Sequence, residues 1–309
     1  MSITDQIILV TGSNGMVGKN FLKEHSDLKI INPTKNELNL FDKKKVSNFL
    51  KKNKIKVVLH LAAKVGGIQD NINFPIEYLT ENIKMNHNII MSSFENDIKF
   101  FLNISSSCVY PKNKKILKEE MIFSGNLESS NESYAISKIF SLKLCNLISK
   151  KKNYFYKSLV PCNLYGPYDK FEKDKSHLVA AIIDKVHKAK LIGANKVEIW
   201  GDGKAKREFM FVKDFVRAIF FCLLNLKKMP SILNCGTGND KTVLGYYKAI
   251  SKIIYPDLSF KYNLNKPVGM KKKLMDVNKI NKLGWKSNTS LEAGIIQTYN
   301  FYLNNFFKK

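Results

Sequence analysis

The sequence predicts an α/β protein: a doubly wound parallel sheet with a smaller α+β domain interleaved toward the C-terminus. Three observations predict it. Short apolar runs of strand length alternate with helical periodicity from residue 7 to about residue 166, and such alternation implies parallel strands joined by crossover helices. The first run ends in a glycine-rich turn, TGSNGMVG at 11–18. Beyond residue 166 the alternation breaks, yet FMFVKDFVRAIFFCLL and ILNCGTG have the character of the first domain again.

IILVTG (7–12) is a strand, and GMVGKNFLKEH after it begins a helix. LKIINP (28–33) predicts a second strand, followed by a helix through VSNFLKKN. VVLHLAA (57–63) is apolar enough to be a third strand buried on both faces. A helix is expected over 76–95 and a fourth strand over KFFLNISSS (99–107). NESYAISKIFSLKLCNLIS (131–149) has helical periodicity, and YKSLVPCNLYG (156–166) is a fifth strand running into a loop. A helix near 176–191 follows, with Ser176 as its candidate N-cap, then a VEIWGDG strand-turn and a helix-rich tail. These elements divide the chain into 1–163 plus about 209–237, and about 164–208 plus 238–309.

A chain of 309 residues, 44% of them hydrophobic, can bury a full core. It contains no apolar run of about 18 residues, the length a membrane span needs. The opening MSITDQIILVTG enters a strand directly, so no signal peptide is expected. Five scattered cysteines without a CxxC pair argue against a disulfide framework or a zinc site, and fit a reducing cytoplasm. The net charge of +25 suggests nucleic acid at first sight. Yet only Arg207 and Arg217 are arginine, and the other 49 basic residues are lysines dispersed along the chain. Nucleic-acid readers depend on arginine forks and clustered basic and aromatic side chains. The charge is therefore compositional, with a few residues serving an anionic ligand.

Gly12, Gly15 and Gly18 stand at the first strand–helix junction. Glycines there allow a tight turn and close backbone approach, so a pyrophosphate can rest on the helix N-terminus in a Rossmann-type domain. The adenosine ribose of NAD usually meets an acid about 20 residues on. Here Asn32, Thr34 and Lys35 occupy that region. Lys35 either pairs with a 2′-phosphate or is one more surface lysine; the first favours NADP(H), with NAD(H) still open.

Tyr134 and Lys138 in YAISK lie one helical turn apart on one face. A lysine charge beside a phenol lowers its pKa and lets it act as acid or base near neutrality. Ser106, at the end of the fourth strand, can hydrogen-bond the same substrate oxygen. His60, inside an apolar strand, is expected to be a hydrogen-bonded core residue, and His25, His87 and His187 have no site around them.

The glycine turn, the SSS strand end and YAISK, in this order, resemble the short-chain dehydrogenase/reductase superfamily of extended type. Within it, LAAKVGGI (61–68), SSSCVYPK (105–112), NESYAISKI (131–139), NLYGPYDKF (163–171), SHLVAAII (176–183) and WGDGKAKREFMFVKD (200–214) are similar to GDP-L-fucose synthases. Those are GDP-4-keto-6-deoxy-mannose 3,5-epimerase/4-reductases, and the resemblance continues through CGTGND (235–240) to the tail.

The resemblance implies that Cys108 and His177 are the acid/base pair for epimerisation. A C4 ketone acidifies the hydrogens on C3 and C5; a thiolate can take one and an imidazolium can return one. Sugar-nucleotide dehydratases of the superfamily carry Asp and Glu where this chain has Ser107 and Cys108, which disfavours dehydration. Cofactor contacts are implied at Gly12, Asn14, Gly15, Met16, Val17, Gly18, Lys35, Leu61, Ala62, Ala63, Tyr134, Lys138, Pro161, Asn163, Leu164 and His177. Substrate contacts are implied at Ser107, Asn163, Lys185, Trp200, Arg207 and Lys273, although Trp200 could equally be core. Lys185 and Asn14 stand where the family often has arginine. The implied protein is a cytoplasmic homodimer acting on a GDP-4-keto sugar. Two alternatives stay open: a plain C4-reductase of a related substrate such as a heptose, and a non-catalytic binder of NADP or nucleotide sugars.

Overall fold

The central sheet of the computed structural model, which describes residues 3–112, 114–172, 176–266 and 270–307, is built by alternation of strand and helix. In chain order come β1 (Ile8–Thr11), α1 (Met16–Glu24), β2 (Ile30–Ile31), α2 (Lys43–Lys52) and β3 (Val57–His60). Helices α3 (Ile68–Asn73) and α4 (Pro75–Glu95) lead to β4 (Phe100–Ile104), then α5 (Glu132–Ser149) and β5 (Phe155–Pro161). Next are β6 (Asn163–Tyr165), α6 (Leu178–Leu191), β7 (Lys196–Trp200), β8 (Lys206–Arg207), β9 (Phe209–Phe211), α7 (Val212–Leu224) and β10 (Ile232–Cys235). The tail holds β11 (Lys241–Thr242), α8 (Val243–Ile254), β12 (Ser259–Asn263), β13 (Lys272–Lys273), α9 (Asn278–Leu283) and α10 (Leu291–Phe306).

Six strands pair in the order β10-β5-β4-β3-β1-β2, every neighbour parallel. The expected return of ILNCGTG is β10, at the sheet edge beside β5. Alternate residues of each strand face opposite layers. Ile8 and Val10 pack with Phe21 of α1 and Phe215 of α7, whereas Leu9 packs with Val46 of α2 and Ile89 of α4. Both faces are therefore covered, as a parallel sheet requires. Phe21 is fully buried and contributes on the order of 2 kcal/mol.

A second core lies between α6, α8 and α10, with Ile183, Ile250 and Ile295 fully buried, and three small sheets border it. The tail is not confined to that lobe: Met275, Ile280 and Trp285 pack into the first core.

Four expected elements end differently. β2 shrinks to two residues because it is an edge strand paired only through Ile8↔Ile30 and Leu9↔Ile31. The fourth strand stops at Ile104, since the Ser106 hydroxyl accepts the Cys108 N–H at 3.4 Å and turns 107–109 into a 3-10 helix. The fifth strand is interrupted at Cys162, and β6 pairs with β9 outside the main sheet. Finally, α6 begins at Leu178 with His177 at the N-cap and no side-chain cap, so Ser176 does not cap it.

Candidate active site

Most residues predicted for the cofactor, together with Ser106, gather at the C-terminal edge of the parallel sheet, where ligands of open α/β sheets bind, whereas Lys185, Trp200, Arg207 and Lys273 lie on elements outside that sheet. Gly12 follows β1, Leu61–Ala63 follow β3, Ser106 follows β4, and Pro161–Leu164 span the break after β5. At Gly12, φ is +72° and a Cβ would lie 2.6 Å from the Ala62 nitrogen. At Gly18 a Cβ would lie 2.5 Å from the Ser13 Cα, so the helix sits on the turn. Gly15 is exposed and a Cβ there meets only the Gly12 carbonyl, at 3.4 Å. It is the N-cap of α1 without a side-chain acceptor, so the first-turn N–H groups of Met16, Val17 and Gly18 have no side-chain cap. Two glycines thus allow the protein to pack and the third leaves room on the side a diphosphate would take; this cradle fits a dinucleotide.

At the adenosine end, the Ser13 hydroxyl reaches the Asn32 carbonyl at 3.5 Å, which joins the glycine turn to the end of β2. Asn14 and Lys35 are exposed nearby, with the Lys35 ammonium 5.7 Å from the Phe41 ring. The acid of this loop, Glu37, accepts the Thr34 N–H at 2.7 Å. Its carboxylate is thereby held in the turn, where that backbone bond lowers its pKa.

The Lys138 ammonium donates to the Ile104 carbonyl at 2.9 Å and lies 5.8 Å from the Tyr134 ring centre. YAISK is thereby fastened to the end of β4, next to the Ser106–Cys108 turn. Burial lowers the Lys138 pKa to about 8, against the pull of Cys108. The expected lowering at Tyr134 is not what the structure has: burial pushes its phenol well up, with Cys108 and Tyr78 adding to the rise. Desolvation of the phenolate is the largest cause. Ser106 is half-buried, and Ser107 and Cys108 are buried. Burial raises the Cys108 thiol pKa, while Lys273, Ser106 and Lys138 draw it back.

Although exposed, His177 stands in a crevice crowded enough for desolvation to lower its imidazole pKa, with the charges of Lys170 and Lys273 adding to the effect. Lys273 thus acts on both proton-transfer candidates. Thiol and imidazole are both favoured uncharged, whereas the sequence suggested a thiolate and an imidazolium; burial penalises either charge. Lys273 is in direct register with Arg207 across β13 and β8. Like charges so placed repel; burial lowers the pKa of both, and the Arg207 charge lowers that of Lys273 further. Arg207 also donates to the Met270 carbonyl at 2.5 Å.

Lys185 donates to the Glu198 carbonyl at 2.9 Å, and the Tyr247 hydroxyl reaches the same carbonyl at 3.3 Å. Trp200 is 52% exposed, so it is not a core residue, and the Lys266 ammonium lies 5.4 Å from its ring. The Asn163 amide donates to the Glu208 carbonyl at 2.9 Å, so its side chain is engaged in joining β6 to the β8–β9 segment. Among the described residues no group of three His, Cys, Asp or Glu side chains could hold a metal ion.

Three features escaped the sequence reading. Tyr78 is buried, donates to Asp70, and stands edge-on to Tyr134 with ring centres 6.3 Å apart. Glu208, 1% exposed, anchors several loops. The third is a chain of hydrogen bonds through His60. Asn86 donates its Nδ2 to the Ser137 carbonyl at 3.2 Å, so its Oδ1 must accept from His60 Nε2 at 2.9 Å. His60 Nδ1 then accepts from the Thr11 hydroxyl at 2.7 Å. Burial, and secondarily the Lys138 charge, lower the His60 pKa to about 4 and keep the ring neutral. VVLH marked His60 as a core histidine, which it is; its partners are 26 and 49 residues away, so no local pattern names them.

A dinucleotide cradle beside a Tyr–Lys pair defines a class of nucleotide-dependent enzymes, and residues 8–236 match the NAD dependent epimerase/dehydratase family, to which the chain belongs. It is 45% identical to a GDP-L-colitose synthase of Yersinia pseudotuberculosis, covering 96% of this chain and 98% of that one. A GDP-L-fucose synthase of Azorhizobium caulinodans is 44% identical over 96% of both chains. Among solved structures, a GDP-mannoheptose C4 reductase of Campylobacter jejuni with NADP bound superposes with a TM-score of 0.88. It is 28% identical and covers 97% of this chain and 98% of that one.

Proposed function

We propose that this enzyme carries out the NADPH-dependent 3,5-epimerisation and C4 reduction of GDP-4-keto-6-deoxy-D-mannose to GDP-L-fucose, a precursor for surface glycans. The observation that carries the reading is the position of Lys273. Its charge acts on the Cys108 thiol and the His177 imidazole alike, and it stands in register with Arg207. Both proton-transfer candidates therefore lie in the field of one cation, and that cation stands beside a second, a pair suited to a diphosphate. The 44% identical GDP-L-fucose synthase supports the same reading.

Cys108 takes a proton from C3 or C5 as its thiolate, a form that Lys273 and Lys138 favour, and His177 returns one on the opposite face. Ser106 and Tyr134 hydrogen-bond the C4 oxygen, and Tyr134 gives it a proton as the ketone is reduced. NADPH, when bound, supplies the hydride for that reduction. Lys138, held by the Ile104 carbonyl, keeps a positive charge beside the phenol and assists its loss of the proton. Gly12, Gly15 and Gly18 hold the cofactor diphosphate, with Asn14, Met16, Val17, Leu61–Ala63, Pro161 and Leu164 around it and Lys35 toward the 2′-phosphate. Arg207, Lys273 and Lys185 hold the nucleotide of the substrate, and exposed Trp200 offers a face to the base. The two-lobe division at residues 163, 209 and 237 belongs to this proposal, as do a homodimer and a cytoplasmic location.

The test is the reaction in D2O with NADPH and the GDP-4-keto sugar. Deuterium at C3 and C5 together with NADPH oxidation is expected; absence of both removes the proposal. Two further substrates enter as second readings. The 45% identical relative favours a GDP-L-colitose-type product, and the structural neighbour favours C4 reduction of a GDP-heptose. NADPH oxidation without incorporation would select the plain reductase.

A further inference from the structure

We propose that Glu208 is a positioning residue for the substrate diphosphate, holding Arg207 and Lys273 side by side; this rests on the reading of those two cations given above. Glu208 lies between Arg207 of β8 and Phe209 of β9 and is almost wholly buried. Its hydrogen-bond partners are N–H and hydroxyl groups from two distant segments. Oε1 accepts the Thr237 N–H at 2.6 Å and the Gly238 N–H at 2.8 Å, and the Thr237 hydroxyl at 3.2 Å, whose hydrogen is shared with the Asn239 carbonyl at 3.1 Å. Oε2 accepts the Met275 N–H at 2.8 Å. A carboxylate so served has no donor of its own to offer, and every partner is a donor.

The turn at 236–238 is fitted to this carboxylate. A Cβ on Gly236 would come within 2.4 Å of Oε1, so only glycine lets the turn close around it. The second segment is the one that carries Lys273, two residues before Met275. That segment joins β8 by just two residue pairs, Lys272↔Lys206 and Lys273↔Arg207. Lys272 has Asp240 as an ion partner at 3.4 Å, so the repulsion in this short ladder falls on Lys273 facing Arg207 of β8. Its neighbour on the other side, β11, adds Lys241↔Arg207. The bond from Glu208 to Met275 works with the pairing of Leu117 to Leu274 and Asp276, at 2.8 and 2.9 Å, to hold the segment, and of these it alone ties the residues next to Lys273 to the strand segment that carries Arg207. The cofactor cradle, at β1 and α1, contains none of these groups.

The experiment compares binding of GDP and of NADPH by titration, together with steady-state kinetics on the GDP-4-keto sugar. Glu208→Gln replaces an acceptor with an amide donor that faces N–H groups. It is expected to raise the GDP Kd and the sugar KM by about tenfold or more, the scale of one misplaced buried hydrogen bond. The NADPH Kd is expected to stay within about twofold and kcat within about threefold of the parent, which loss of one binding interaction alone leaves in place. A Glu208→Gln protein that binds NADPH and also binds GDP as tightly as the parent overturns the proposal. Should that variant fail to bind NADPH, Thr237→Val, which removes a single hydroxyl donor, decides instead. A rise of about threefold in GDP Kd is expected of it, and no rise overturns the proposal. Arg207→Ala and Lys273→Ala test the underlying reading separately. If neither weakens GDP, the diphosphate site itself is misassigned, whatever Glu208→Gln does.

Discussion

Cys108 and His177 are both pushed toward their uncharged forms, the thiol upward from 9.0 and the imidazole downward from 6.5. The thiolate–imidazolium pair that does the work holds the same number of protons as the thiol–imidazole pair that predominates. Its share is therefore constant between the two pKa values and falls outside them. Deuterium incorporation should accordingly form a broad plateau, declining on the acid side below 6.5 and on the alkaline side above 9.0. A narrow maximum inside that interval would contradict the assignment. NADPH oxidation should decline earlier, from about 8, as Lys138 loses its charge. Cys108→Ser should abolish most incorporation, while NADPH consumption continues with a substrate that needs no epimerisation; unchanged incorporation would remove Cys108 from the proton transfer. His60 gives a stability prediction. Its pKa is about 4 in the folded protein and 6.5 as the ordinary value, so the unfolded chain takes up the proton first. Stability is complete above 6.5, falls as pH drops toward 4, and levels off below. The loss is roughly 3 kcal/mol. Urea midpoints of the parent and of His60→Gln should converge as pH falls from 7 to 4, and a gap independent of pH would show that His60 does not titrate this way.

The glycine turn shows how an element is decided by neighbours that lie outside it. Gly18 meets backbone at 2.5 Å and Gly12 meets backbone at 2.6 Å, and backbone cannot yield as a side-chain end can. Gly18→Ala should lower the melting temperature and weaken NADPH together, by several-fold or more. Gly15→Ala meets nothing closer than 3.4 Å and should fold like the parent while losing affinity for NADPH, since its methyl enters the ligand side. Calorimetry with cofactor titration checks both, and equal stability of the two variants would refute the distinction. Element types were legible from periodicity because backbone hydrogen bonding and apolar spacing are local. Their ends were less so. The break at Cys162 comes from pairing of β6 with β9, more than forty positions later in the chain, and the stop at Ile104 comes from a single hydroxyl of Ser106.

At the scale of the whole molecule, α4 and α5 pack on each other and leave Ile76, Ile136 and Leu147 exposed, 72%, 40% and 50% respectively. These exposed apolar side chains on two packed helices motivate the homodimer in the proposal. Sedimentation velocity at micromolar concentration should give a dimer, and Ile136→Glu should shift it toward monomer; a monomeric parent would remove that part. The sequence by itself determined the parallel α/β architecture, the glycine cradle and the Tyr134–Lys138 pair, because each depends on spacing along a few turns of chain. The tertiary structure decided what those groups are worth. It put Lys273 opposite Arg207, tied Thr11, His60, Asn86 and Ser137 into one directional chain, and sheltered Glu208 among N–H donors. It also raised Tyr134 where its neighbouring lysine alone would have lowered it. The physical reason is common to all four: desolvation and long-range pairing depend on what surrounds a side chain in space, and a linear pattern does not contain its surroundings.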